Sequence, residues 1–191
     1  MASRALTVPM VAARRAAWDA VFVALSAAHG VVLAVSASVP VIAIGMWWNA
    51  NTIAHNFIHR PFFRARWANR AFSMYLSAVL GLPQTFWRDR HLQHHAGREG
   101  RVRIRRWTVI ESTLVLTLWA IAAWSAPRWF VTVYIPGYAI GLCLCWLQGH
   151  YEHEGGTTSH YGWLYNTLFF NDGYHVEHHR HPSVHWTELR S

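Results

Sequence analysis

Long apolar runs alternate with polar, arginine- and histidine-bearing stretches along the chain, and their lengths decide what each can be. Residues 17–39 are almost wholly apolar and meet the roughly 20 residues an α-helix needs to cross the hydrocarbon of a bilayer. A second run opens at Pro40, a residue suited to the first turn of a helix, and stays apolar through Trp48. It then turns polar at Asn49, Asn51 and Thr52 without a helix breaker, so the pattern predicts a membrane helix over residues 40–58 whose last turns leave the hydrocarbon. Residues 71–80 are apolar but too short to span, and Gly81-Leu82-Pro83 stops them, which predicts an interfacial or re-entrant helix. Residues 107–124 and 129–147 read as two more crossings joined by the turn Ser125-Ala126-Pro127-Arg128. The second should bend at Pro136-Gly137, where an intrahelical hydrogen bond is missing. From residue 148 onward the chain is polar and histidine-rich. The expected fold is all-α: one integral membrane domain over residues 1–191, with about four transmembrane helices and a small cytosolic histidine-rich cap. A cleaved signal peptide also fits the basic, apolar and small-residue order of the N-terminus, but the run is long enough to stay as a membrane helix.

Charge adds orientation to this scheme. The 17 basic residues are all arginine and face nine acids, a net charge of +8. Nucleic acid would suit that balance, but 53% hydrophobic residues and 12 tryptophans point to a bilayer with basic flanks, so no nucleic-acid partner is expected. With two short hairpins near Ser38 and Pro127, every arginine except Arg128 falls on one side. By the positive-inside rule that side, with both termini, is cytoplasmic. Cys143 and Cys145 sit too close along an apolar run to bridge each other and read as small packing residues.

Histidines carry the chemistry. On a helix, positions i, i+3 and i+4 share a face, so His175, His178 and His179 can present three imidazoles to one point. His91, His94 and His95 repeat that H-x-x-H-H spacing, and His55 and His59 stand at i and i+4. A lone helical histidine is usually a hydrogen-bonded surface or core residue, but three boxes at ligand spacing are not independent accidents. The crossings place all three boxes on the arginine-rich side, a result that histidine spacing and arginine distribution reach independently. Transport is disfavoured, because only Asp19 and Glu111 lie in or near spans and the histidines gather at one face.

The order of the boxes, H-x-x-x-H at His55 to His59, H-x-x-H-H at His91 to His95, and G-Y-H-x-E-H-H-x-x-P at Gly173 to Pro182, resembles the membrane fatty acid desaturase superfamily. The resemblance covers roughly residues 47–189. It implies a four-helix membrane domain with a cytosolic cap, holding two non-haem irons through histidines, and an O2-dependent desaturase or hydroxylase acting on a lipid or hydrocarbon chain. Such chemistry suits the donors: an unactivated methylene needs a redox metal to activate O2, and neutral imidazole suits iron. Carotenoid hydroxylases and ketolases are relatives, and the short cap favours that substrate class somewhat; a non-catalytic membrane metal-binding protein is the alternative from another class. With no C-x-x-C and no G-x-G-x-x-G opening a helix, electrons must come from a separate carrier such as ferredoxin, rubredoxin or cytochrome b5. The arginines from Arg98 to Arg106 are the expected docking patch. Eight box histidines over two irons leave room for one more ligand. His150 and His153 lie just past the fourth crossing, aimed at the box side; His160 follows a flexible loop, and Pro182 turns His181 and His185 away. Glu152-His153 resembles the pair in which relatives use the histidine as a ligand, although Glu154 stands where a tyrosine is common. His153 is therefore the expected ninth ligand, with His150 as its outer partner.

Overall fold

The computed structural model describes residues 2–98 and 100–189, with side chains from residue 10 onward. The expected cytoplasmic termini, Met1 and Ser191, lie outside that range. The described residues contain helices and no strand: α1 (Ala2–Val35), α2 (Val39–Asn49), α3 (His55–His59), α4 (Arg66–Leu80), α5 (Gln84–His95), α6 (Arg106–Ser125), α7 (Pro127–Trp129), α8 (Ile135–His153), α9 (Trp163–Leu168) and α10 (His175–Arg180).

Three helical stretches are long and apolar enough to cross a membrane: Met10–Val35, Arg106–Ser125 and Pro127–His153. Three of the four expected crossings are among them. The stretch expected to be the second crossing, residues 40–58, is helical but is not among the three. Its second half carries Asn49, Asn51, Thr52, His55 and Asn56, which dilute its apolar character. It is also interrupted by a π-helical turn, Ala50–Ala54, where the His55 N–H bonds back to the Ala50 carbonyl. One inserted residue rotates the helix beyond it by about 100°, so α3 presents its histidines on a different face from the one α2 would have given them. The first helix stops at Val35 rather than 39, and Ser38, in extended backbone (φ −116°, ψ 116°), stands as the N-cap of α2 with Pro40 in its first turn.

Helices in lipid gain little from apolar burial against one another and depend on close packing. The tightest pair is α2 against α8, and two glycines allow it. A Cβ at Gly137 would lie 2.8 Å from the Ile42 side chain, and one at Gly141 would lie 3.1 Å from the Ala43 carbonyl oxygen. Ahead of Pro136, where a bend was expected, the helix widens into a π-helical turn over Phe130–Tyr134. That wider turn accommodates the residues a proline ring would otherwise crowd. Helix α4 begins at Arg66, five residues before its apolar run; its 15 residues rise about 22 Å, short of the roughly 30 Å hydrocarbon. Gly81 ends it in left-handed conformation, φ 60°.

Polar pairs tie the bundle together at depth. Asn49 donates to Ser26 Oγ (3.1 Å) and lies 2.9 Å from His29 Nδ1, joining α2 to α1. Glu111, fully buried on α6, accepts from Ser73 Oγ (2.7 Å) and the Thr85 backbone N–H (2.6 Å), linking α4, α5 and α6. An aromatic cage of Trp18, Phe22, Trp48 and Trp186 surrounds Phe170. Phe170 (φ 50°) and Asn171 (φ 63°) both adopt left-handed backbone, rare for non-glycine residues and rarer for one so bulky. The cage holds this reversal, which turns the chain into α10.

Candidate metal centre

Each histidine box sits on a helix that ends at the same side of the bundle. Box one occupies α3, immediately after the π-helical turn. Box two forms the last turns of α5, and box three opens α10. Ser159 fixes the start of α10: its Oγ accepts from the Val176 N–H (2.9 Å) and donates to Glu177 (2.8 Å). His153 is the last residue of α8.

These elements bring all nine expected histidines together in two groups. The first contains His55, His59, His91, His95 and His178; the second contains His94, His153 and His179. His175 joins the second through its Nε2, 3.1 Å from that of His153. The boxes do not present three imidazoles to one point, as their spacing suggested. In each H-x-x-H-H box the i and i+4 rings stay together, with centroids 4.7 Å apart for both His91–His95 and His175–His179. The middle histidine diverges to about 6 Å from its box partners: 6.2 and 5.8 Å for His94, 6.1 Å on both sides for His178. Positions i, i+3 and i+4 cover a sector of about 100°, wide enough to straddle two foci. Each H-x-x-H-H box thus contributes to both groups, while His55 and His59 of the first box both belong to the first group.

The donor set fits a pair of metal ions. Ring nitrogens face one another: His55 to His178 at 2.9 Å, His59 to His91 at 2.8 Å, His91 to His95 at 3.1 Å and His94 to His153 at 3.0 Å, all Nε2 to Nε2. Neutral imidazoles can share one proton between two rings, but five converging rings cannot all be satisfied that way. Two imidazole nitrogens each about 2.1 Å from one metal, at right angles, stand about 3.0 Å apart. Electrostatics agree. Burial, with the neighbouring rings second, holds His178 and His175 down to about 2 and His179 to about 3, and pushes His91 well below the usual histidine range. The rings are therefore neutral, the form that ligates metal.

A layer of carboxylates lies behind the rings. Asp172 Oδ1 is 3.7 Å from His55 Nδ1 in the first group, and Glu152 Oε2 is 3.8 Å from His175 Nδ1 in the second. Gln148 Nε2 donates to both acids, to Glu152 at 2.9 Å and Asp172 at 2.7 Å, and Tyr165 OH donates to Glu152 at 3.1 Å. Burial, with the Glu152 charge second, pushes the Asp172 carboxyl well above the usual carboxylate range. Sequence reasoning assigned no role to Gln148, Tyr165 or Asp172; the position of Asp172 three residues before His175 was the available signal. It assigned the outer partner to His150, which is exposed, stacks on Trp146 at 5.7 Å and lines the same cavity as Glu152 and His153. His185 is buried 3.4 Å from Asp19 on α1 and lines a small cavity with His59 and His178 without joining either group, and His160 and His181 are exposed.

A cavity of about 560 Å³ adjoins the histidines. His55 and His91 of the first group and His94, His153 and His175 of the second reach it, and Met46, Leu80, Leu82, Trp87, Leu142 and Trp146 give it an apolar wall.

No curated protein and no solved structure matches the chain. A family model described as fatty acid desaturase matches it over residues 30–101 and 96–191, nearly the whole sequence and all three boxes. Its members are typically iron-dependent, in keeping with histidine clusters able to hold metal beside helices able to span a membrane. By that match the chain belongs to the fatty acid desaturase family.

Proposed function

We propose that the protein is a membrane di-iron oxidoreductase that uses O2 and external electrons to desaturate or hydroxylate a lipid or hydrocarbon chain. The observation that carries this reading is the cavity of about 560 Å³, because ligand-competent histidines of both groups and a long apolar wall meet in it. His55, His59, His91, His95 and His178 would hold one iron, and His94, His153, His175 and His179 the other. The irons supply the O2 activation that breaking an unactivated C–H bond requires.

The chain's own residues do the positioning. Met46, Leu80, Leu82 and Leu142 hold an extended apolar substrate, while Trp87 and Trp146 flank it near the histidines. Glu152 and Asp172 fix the ring orientation of one ligand in each group, and Gln148 and Tyr165 hold the two carboxylates in register. The position of the substrate carbon against the site decides between a second hydrogen abstraction and a hydroxylation, and a misplacement of about 1 Å is enough to change rates 10²-fold. The stretch over residues 39–59 forms the fourth crossing, shielded by α8, which puts the histidines and Arg98, Arg101, Arg103, Arg105 and Arg106 on the cytoplasmic side. Those arginines are exposed, as docking of an acidic electron carrier requires.

Lipid analysis of cells expressing the protein tests the proposal. A new double bond or hydroxyl group that depends on O2 and on a co-expressed ferredoxin, rubredoxin or cytochrome b5 is the expected result. Oxidised carotenoid in place of oxidised acyl or alkyl chains would move the substrate class. Bound metal with no oxidised product under any donor would refute the enzyme reading.

A further inference from the structure

A second cavity, of about 270 Å³, lies behind the metal centre, and arginines rather than histidines define it. Phe57, Ile58 and Pro61 form its apolar side, Phe57 and Ile58 coming from the helix that carries His55 and His59; Arg66, Arg70 and Arg88 form its basic side. Four arginines gather in this region against two carboxylates. Asp89 is shared by Arg88, at 2.8 Å, and Arg105. Glu111 is occupied by Ser73 and Thr85.

That leaves two cations with open donors. Arg66 has no hydrogen bond or ion pair among the described residues and is exposed. Arg70 lies with its guanidinium 4.7 Å over the Trp107 ring, and its one hydrogen bond, to Thr85 Oγ1, is long at 3.4 Å. A guanidinium offers five N–H donors in a fork that matches phosphate oxygens. Burial and the neighbouring Arg88 both work against the Arg70 charge, so an anion entering the cavity is favoured twice, by hydrogen bonding and by relief of repulsion.

The surroundings select the anion's source. Helix α4, which supplies Arg66 and Arg70, is amphipathic and too short to span. Its other flank bears Trp67, Ala71, Phe72 and Tyr75 along an open apolar groove, with Trp67 77% exposed. An apolar flank with a protruding tryptophan beside a basic flank is the composition of a helix lying in the headgroup layer. Basic pockets between membrane helices accept phosphate headgroups. We propose that this cavity binds the phosphate of an anionic bilayer lipid, with Arg66 and Arg70 as the phosphate-binding pair and Arg88 completing the positive wall. The site is separate from the histidine-lined cavity and its occupancy does not rest on the proposed reaction.

Native mass spectrometry of the full-length protein in detergent tests this with three probes: phosphatidylglycerol, phosphatidylcholine and inorganic phosphate. The expected result is one phosphatidylglycerol retained in preference to phosphatidylcholine, not displaced by excess inorganic phosphate. Arg66→Gln should weaken retention about fivefold and Arg66→Gln/Arg70→Gln about 25-fold, while Arg101→Gln/Arg103→Gln in the exposed loop leaves it unchanged. Displacement by inorganic phosphate alone would make this a free-anion site and overturn the lipid assignment. Equal retention by wild type and Arg66→Gln would overturn it as well, and that variant decides even if the double variant does not fold, because the Arg66 side chain makes no contact the fold depends on.

Discussion

The two histidine groups share the same two H-x-x-H-H boxes, the first adding His55 and His59 and the second His153, and they sit in different surroundings. The five-histidine group is assembled from α3, α5 and α10, with His178 buried and the remaining rings half-buried. The four-histidine group takes His153 from the final residue of α8, just before Gly155 and Gly156, whose φ values of 71° and 124° mark a loop. Its His94 is exposed, and only His175 is buried. Burial separates the two: the first group is the better enclosed and the second the more accessible. A carboxylate stands behind one ring of each: Asp172 is 3.7 Å from His55 in the better-enclosed group, and Glu152 is 3.8 Å from His175, the best-buried member of the more open one.

The largest effects should come from removing ligands. His178→Ala and His153→Ala should each cost one iron per chain and lower turnover by more than the roughly 10–100-fold typical of outer partners, measured by metal analysis and product formation. His150→Ala, His160→Ala and His185→Ala should keep both irons. Iron retained in His153→Ala but lost in His150→Ala would reverse the assignment at the end of α8.

The outer carboxylates come next. Glu152→Gln and Asp172→Asn should each weaken iron binding about 10–100-fold, and a chelation time course should show the greater loss in Glu152→Gln. Equal losses would erase the proposed difference between the groups.

Acid should act on the metal-free protein in a defined window. Histidines held at about 2 to 4 in the fold take up protons near 6.5 when unfolded, so the unfolded state binds more protons between those limits. Their contribution to stability is therefore present above about pH 6.5 and lost as pH falls toward the folded values. Thermal melts of apoprotein at pH 7.5 and 5.5 should show the drop, and His178→Gln should flatten it. A smaller effect is expected at the loop: reversing Arg98, Arg101 and Arg103 to glutamate should slow reduction by the carrier in stopped-flow while leaving iron content intact.

Much of this was legible in the residues. Helical spacing located all three boxes, and the helix end past residue 147 pointed to His150 and His153, between which the resemblance of Glu152-His153 to the family's pair chose. Two things were not legible. The splitting of each H-x-x-H-H box between two groups depends on where facing helices end, and nothing in the i, i+3, i+4 pattern says whether a 100° sector meets one focus or two. The polar second half of residues 40–58 read as a helix leaving the membrane, but the π-helical turn that aims His55 and His59 adds a residue to one turn without any sequence breaker. The Gln148, Tyr165 and Asp172 network was hidden for a related reason, since its members are 24 residues apart and meet only after the Phe170–Asn171 reversal.

The central claim is a two-metal centre ligated by imidazole alone. X-ray absorption at the iron edge, combined with quantitative metal analysis of the purified protein, tests it most directly. The account predicts two irons per chain with a first shell of nitrogen or oxygen scatterers at about 2.1 Å, carrying the outer-shell signature of imidazole rings. A single iron per chain, a shell containing sulfur, or a shell without imidazole scattering would contradict it.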